Sequence, residues 1–252
     1  MSPPPADLAD SPKVGMRGPR HPLVRARQAL LEWLLPGLHY RLRRRFYSRS
    51  WERDDYYTPR QYWFLPPGVM PRLLKETVES KWLGRGGTLL DIGCGEGGIA
   101  EYLANAGYDV LGVDFAGASI ARARSRVGQS LMLRFEELDF CEQVPDGAPF
   151  DAILDRGCYH GLPVGLRSAY LRALLASSRP GTRMLLMRRV TEDANLTDPL
   201  RDALYGRALD EVRSFFGPHF TLDRTEPTWF NSRGDDDRLQ ALAGLVVWMT
   251  RR

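Results

Sequence analysis

The feature that most restricts the fold of this chain is the run from Thr88 to Ala100. Thr88-Leu89-Leu90-Asp91-Ile92 has the apolar, β-prone character of a short central strand, and it passes directly into Gly93-Cys94-Gly95-Glu96-Gly97. Three alternating glycines permit a tight turn and a close approach of the backbone to a ligand, because no Cβ intervenes. The next residues, Gly98 to Leu103, favour a helix whose Ile99 and Leu103 lie four positions apart and face the sheet together. A glycine pattern alone also serves merely to join a strand to a helix. Here a second strand, Asp109 to Phe115, carries Asp114 near its end, where a carboxylate can accept both hydroxyls of a ribose. Together they point to a nucleotide-type site at the carboxyl ends of adjacent strands.

Strands and helices alternate through the rest of the chain. Met70 to Lys81 suits a helix with Pro71 in its first turn, ended by Gly84 and Gly86-Gly87. After the second strand come a helix at Ser119 to Arg126, strands at Leu131 to Phe135 and Phe150 to Leu154, a helix at Leu166 to Ser177 and a strand at Thr182 to Met187. This spacing suits right-handed parallel crossovers. Asp198-Pro199 opens a further helix that Gly217-Pro218 stops, and Phe220 to Arg224 and Leu242 to Met249 are strand-like. Between them, Asn231 to Asp237 reads as an exposed loop, and the last two strands are expected to be antiparallel. The expectation is one α/β core over residues 84–252.

The chain has 252 residues, of which 43% are hydrophobic, enough for a sizeable core without a second domain. Its net charge of +4 is too small to imply a polyanionic partner, but the distribution is uneven. Ten Lys or Arg residues lie between Ser11 and Arg49, and removing that stretch leaves 25 basic against 30 acidic residues, a net of −5. Residues 1–18, with four prolines, read as a disordered tail, and residues 19–83 as a basic and aromatic helical arm or active-site cover. Arg41, Arg43, Arg44 and Arg45 form its densest charge cluster, and Trp51, Tyr56, Tyr57, Tyr62, Trp63 and Phe64 its aromatic part. These rings either stack on a ligand or wedge the arm against the core. Neither an obligate nucleic acid nor a membrane is expected as partner, and the sequence leaves the oligomeric state open. Cys94, Cys141 and Cys158 have neither the pairing nor the number of a disulfide framework, and no signal peptide or long apolar run is evident, so a cytoplasmic setting is expected. The four histidines are too scattered to suggest a metal site.

The stretch LLDIGCGEGGIAEYLANAGYDVLGVDFAGASIARARSR resembles the class I S-adenosylmethionine-dependent methyltransferases. The resemblance implies a Rossmann-like methyltransferase fold, a mainly parallel seven-stranded sheet with a closing antiparallel strand. It also implies S-adenosyl-L-methionine as cofactor, with Asp91, Gly93, Cys94, Gly95 and Gly97 around its amino acid part and Asp114 and Phe115 at its ribose. Asp139 and Phe140 match the adenine position, the carboxylate near the exocyclic amine and the ring near the adenine face; the alternatives are a surface acid and a core phenylalanine. A dinucleotide dehydrogenase is the nearest competitor. Asp91 is awkward beside a pyrophosphate but suits the cationic amino group or sulfonium of the methyl donor.

The segment Phe150 to Pro163 ends a strand in a dense set of functional groups. Its Asp155-Arg156-Gly157 is similar to the corresponding segment of the thiopurine methyltransferase-like branch, which acts on small molecules. An Asn-Pro-Pro-Tyr motif, which accompanies methylation of nucleic acid bases or glutamine in related enzymes, is absent there. His160 is the candidate to receive an acceptor proton, since an ordinary imidazole titrates near neutral pH. Tyr159 would orient the acceptor or pack; Cys158 reads as packing. Asp155 and Arg156 either set the loop geometry or contact ligands, Asp155 the cofactor and Arg156 an acidic acceptor. Trp51, Tyr57, Trp63 and Trp229 are candidate pocket walls, with Phe230 beside Trp229. The expected activity is methyl transfer to a small-molecule acceptor, possible in secondary metabolism or detoxification. The alternatives are an RNA or protein methyltransferase and a nonenzymatic cofactor-binding module.

Overall fold

The computed structural model describes residues 38, 41, 44, 45, 65, 69–127, 131–191, 197–233 and 239–252. A helix α1 (Arg72–Glu79) leads into a seven-stranded sheet. The strands are β1 (Gly87–Ile92), β2 (Tyr108–Asp114), β3 (Leu133–Glu137), β4 (Phe150–Arg156), β5 (Ser178–Arg189), β6 (Phe220–Arg233) and β7 (Leu239–Arg251). Helices α2 (Gly98–Asn105), α3 (Gly117–Val127), α4 (Val164–Ala176) and α5 (Asp198–Phe216) connect them. The sheet order is β3-β2-β1-β4-β5-β7-β6, parallel through β5, with β7 antiparallel to both neighbours. The expected seven-stranded, mainly parallel α/β architecture is therefore present.

Burial on both faces explains the sequence of the central strands. Leu89 and Leu90 are adjacent on β1, point to opposite faces and are both fully buried, so the strand is a continuous apolar run. One face packs α4 and α5 over Leu90, Ile92, Ile153, Met184 and Leu186. The other packs α1, α2 and α3 over Leu89, Val110, Leu154 and Leu185. On that second face, Trp248 Nε1 of β7 donates to the Thr77 hydroxyl of α1 at 2.8 Å.

Several boundaries differ from the sequence expectation, three of them at the ends of β3, β5 and β6. β3 begins at Leu133, and Leu131, read as its first residue, is 96% exposed. β5 begins four residues earlier than expected, at Ser178, where Phe150 of β4 is its register partner. The largest difference is β6, which continues unbroken from Phe220 to Arg233 and pairs with β7 throughout. The sequence suggested a strand only to Arg224 and a loop from Asn231; β6 is an edge strand, and there Pro227 is tolerated, because a missing N–H facing outwards costs no ladder bond.

Candidate active site

The glycine turn lies at the carboxyl end of β1 and is tied to β2. The N–H groups of Gly93 and Cys94 both donate to the Val113 carbonyl, at 2.8 and 3.0 Å. Gly93 and Gly97 have φ of +70° and +76°, a left-handed backbone that disfavours any side chain. A Cβ on Gly93 would lie 3.1 Å from Cys158 Cβ, and one on Gly97 would collide with the Phe135 ring. Close packing beneath the turn thus demands the glycines, and Cys158 packs there as expected. Burial pushes the Cys158 thiol well above its ordinary pKa, so it stays protonated.

Three carboxylates surround the turn. Asp114 Oδ2 accepts the Gly95 N–H at 3.1 Å and Oδ1 accepts the Ala116 N–H at 2.9 Å. The Phe115 N–H bonds it as well, and a carboxylate has about four lone-pair sites, so capacity is left for a ribose hydroxyl. Phe115 beside it is half-buried. Asp91 is 3% exposed and its Oδ2 has no hydrogen-bond partner. Burial first, then Asp155 and Asp114, raise its pKa to about 7, opposed by Arg156. An orphaned buried carboxylate oxygen beside a glycine cradle fits a ligand that brings a cation, as the amino acid part of S-adenosylmethionine does. Asp139, 5% exposed, accepts the Cys141 N–H at 3.0 Å and pairs with Arg44 at 3.1 Å. Arg44 also reaches Glu142 at 3.3 Å. The arm therefore touches the position matched to adenine. Phe140, by contrast, is 5% exposed and packs edge-on to Tyr170, so its ring belongs to the core, the alternative the sequence left open.

The turn after β4 is organised from below by Asp155. This side chain is fully buried and accepts the N–H groups of Cys158 and Tyr159, both at 2.9 Å, and the Tyr170 hydroxyl at 2.7 Å. Burial raises its pKa to about 6 against the pull of these donors. Its place is structural, holding the loop; the expected direct contact with cofactor is corrected accordingly. Tyr159 is corrected too: it is fully buried, donates to Glu211 at 2.9 Å and packs on Phe215 and Phe216, which leaves it no face towards an acceptor.

Above this turn several groups converge. His160 is partly buried, accepts the Arg189 N–H on Nδ1 at 3.3 Å, and lies 6.4 Å from the Phe230 ring centre. Burial and then Arg189, Arg188, Arg156 and Arg167 push its pKa down to about 3. The imidazole is thus neutral near pH 7, and a poor proton acceptor. The Arg156 guanidinium is 5.2 Å from the Phe230 ring. Trp229 instead faces Arg201, whose guanidinium is 5.6 Å above its ring. Neighbouring residues of a strand point to opposite faces, so only one of Trp229 and Phe230 can face His160 and Arg156, and it is Phe230, itself 3% exposed. Trp51, Tyr57 and Trp63 lie outside the described residues.

Sequence reading missed Arg188, Arg189 and Glu211, and named Arg44 only within the charge cluster of the arm, without its acidic partner. Arg188-Arg189 had a signal: two charges directly after the apolar run Met184 to Met187, at the carboxyl end of a parallel strand, where α/β proteins bind ligands. Glu211 and Arg44 had none, because their partners are remote in sequence. Among the described residues no group of His, Cys, Asp or Glu is placed to hold a metal ion, and no helix is long and apolar enough to cross a membrane.

Residues 89–181 match the family described as a methyltransferase domain. The chain is 26% identical over 167 residues to the 2-heptyl-1-hydroxyquinolin-4(1H)-one methyltransferase of Mycobacteroides abscessus, a match covering 66% of this chain and 71% of that protein. In structure it is similar to a protein described in connection with the conversion of a disulfide bond into a thioacetal group during echinomycin biosynthesis. The TM-score is 0.64 at 21% identity, covering 82% of this chain and 92% of that one. It is also similar to the Burkholderia thailandensis 1,6-didemethyltoxoflavin-N1-methyltransferase, with TM-score 0.54 at 21% identity, covering 97% and 93%. Sheet order, glycine turn, carboxylate placement and the match over residues 89–181 agree: the chain has a class I S-adenosylmethionine-dependent methyltransferase fold.

Proposed function

We propose that the chain transfers a methyl group from S-adenosylmethionine to a small, planar heteroaromatic acceptor through a ring oxygen or nitrogen. The observation that carries this reading is the position of Arg156. It acts electrostatically on Asp91 at the donor side and on His160 at the other, and stacks against Phe230. Donor and acceptor sides thus meet over the carboxyl end of β4. Two similarities support the acceptor class, since the proteins concerned are methyltransferases of 2-heptyl-1-hydroxyquinolin-4(1H)-one and of 1,6-didemethyltoxoflavin.

When bound, the donor supplies an electrophilic methyl group on a sulfonium. The protein's part is to hold the acceptor in line with it. In this reading the glycine turn and Asp91 hold the amino acid part, Asp114 a ribose hydroxyl and Asp139 the adenine amine. Phe230 gives the acceptor ring an apolar wall, and neutral His160 orients it by hydrogen bonding rather than by taking its proton. The part of the arm around Arg44 covers the donor, a role supported by the Arg44 contact with Asp139. A reducing, cytoplasmic setting is part of the same reading, supported by Cys94, Cys141 and Cys158 all being free thiols.

The test is a panel of hydroxyquinolones, phenols, ring N–H heterocycles, thiols, amines and halides incubated with S-adenosylmethionine, with products identified by mass spectrometry. Methylated heteroaromatics are expected; turnover on RNA or protein with an inert panel would overturn the reading. On a responsive acceptor, His160→Ala should lower turnover about tenfold, the scale of one hydrogen bond, while His160→Gln keeps most of it. Equal loss in both variants would instead point to proton transfer.

A further inference from the structure

We infer that Tyr170 of α4 is a positioning residue for the methyl donor, setting the floor of the glycine turn through Asp155 and Cys158. The inference deepens the donor assignment and rests on it. Tyr170 is fully buried, and its hydroxyl donates to Asp155 Oδ2 at 2.7 Å. The same carboxylate accepts the Cys158 N–H on Oδ1 and the Tyr159 N–H on Oδ2, both at 2.9 Å, and the Gly157 N–H bonds it as well. Asp155 has no exposed surface, so its charge depends on these neutral donors, of which all but the Tyr170 hydroxyl belong to the turn itself.

That turn carries the donor loop. A Cβ on Gly93 would meet Cys158 Cβ at 3.1 Å and Sγ at 3.7 Å, so the Gly93 backbone lies directly against the Cys158 side chain. No clearance is left to absorb a shift of Cys158. The Tyr170 ring has a separate contact: it packs edge-on to Phe140 at 5.5 Å, and Phe140 follows Asp139, the residue assigned to the adenine amine. It also lies 5.6 Å from the Tyr159 ring. A phenylalanine would satisfy this packing, so the hydroxyl has Asp155 as its purpose.

The two parts of the side chain thus bear on two parts of the donor. Removing only the hydroxyl keeps the ring packing and takes one donor from a buried carboxylate, which is costly unless the surroundings rearrange. The remaining donors are the amides of Gly157, Cys158 and Tyr159, so the rearrangement moves Cys158 and, with it, Gly93. The disturbance is directed at the amino acid part of the donor. The nucleoside part, on Asp114 and Asp139, is spared.

The experiment uses the full chain and two probes that share nucleoside and thioether and differ in the amino acid part, S-adenosylhomocysteine and 5′-methylthioadenosine. Affinities are measured by calorimetry at pH 8, the weaker ligand by competition. Tyr170→Phe should weaken S-adenosylhomocysteine about three- to tenfold, the scale of one hydrogen bond, and change methylthioadenosine by less than about twofold. Cys158→Gly keeps the hydroxyl and removes the side chain beneath Gly93; it should narrow the difference between the probes likewise, and it decides alone if Tyr170→Phe does not fold. Leu174→Val, one turn further along α4, lowers core stability without touching the hydroxyl and should leave the ratio of affinities unchanged. Equal weakening of both probes by Tyr170→Phe, or none, would overturn the inference and leave donor binding standing. Failure of the wild type to bind S-adenosylhomocysteine would instead overturn the donor assignment, and this inference with it.

Discussion

Asp91 sits at the carboxyl end of the central strand, buried, with one oxygen unpartnered and two other carboxylates close by. Charging it there without a counter-charge is unfavourable, so the folded protein holds this proton up to about pH 7, against 3.8 for an ordinary carboxyl. The sign of the linkage follows. Below about pH 4 Asp91 costs nothing; between about 4 and 7 the unfolded chain releases its proton and the ligand-free fold does not, so stability falls, with no further loss above. At pH 8, Asp91→Asn should therefore stabilise the ligand-free protein, by up to a few kcal/mol at about 1.4 kcal/mol per unit. Binding runs the other way, because a cationic ligand needs the ionised form. Affinity for S-adenosylmethionine should rise between pH 5.5 and 7.5 in the wild type, and the variant should lose that slope and bind about tenfold more weakly at the upper end. Melting curves and calorimetry across this range would record both signs; a variant unchanged in both would show that Asp91 is not the donor's partner.

At the scale of elements, the contact between Arg44 and the loop after β3 joins the arm to the core. Arg44 is half-exposed, so its pairs with Asp139 and Glu142 contribute about 0–1 kcal/mol and cannot hold up the fold. They can decide where the arm rests. Arg44→Glu places like charges beside both acids, so trypsin should cut after Arg41 and Arg45 several-fold faster, while the core's melting temperature moves by less than about 4 °C. Unaltered cleavage would mean that other contacts hold the arm. None of this was legible in the sequence, since a basic cluster does not reveal which acid it will meet. The glycine turn was legible because backbone geometry, local in sequence, enforces it. β6 was not: Pro227 and the polar residues beyond it break a central strand but not an edge strand, and edge position is a property of the whole sheet. The same limit applied to Trp229 and Phe230, adjacent in sequence and separated by the sheet. For His160, a role as proton acceptor depended on its burial and on the charges around it, supplied by β4, β5 and α4.

Across the whole molecule the donor turn is part of the main cooperative unit, because β1, β2 and β4 carry both packing layers. Ligand binding should thus appear as global stabilisation. S-adenosylhomocysteine at one hundred times its Kd adds about 2.7 kcal/mol, which for a protein of this size corresponds to roughly 5–11 °C in Tm. A shift under about 2 °C at saturation would show that the turn melts apart from the core. The sheet order has a further consequence, for how the chain comes to be folded. β7 is the last strand in sequence, yet it lies between β5 and β6. Until it emerges from the ribosome, the backbone of β5 from Arg183 to Arg189 has a bare edge and β6 has nothing to pair with. Met184, Leu185 and Leu186, fully buried in the finished protein, stand along that edge. From the synthesis of Arg189 onwards the nascent chain thus carries an open, sticky strand, and only the insertion of Leu239–Arg251 seals it.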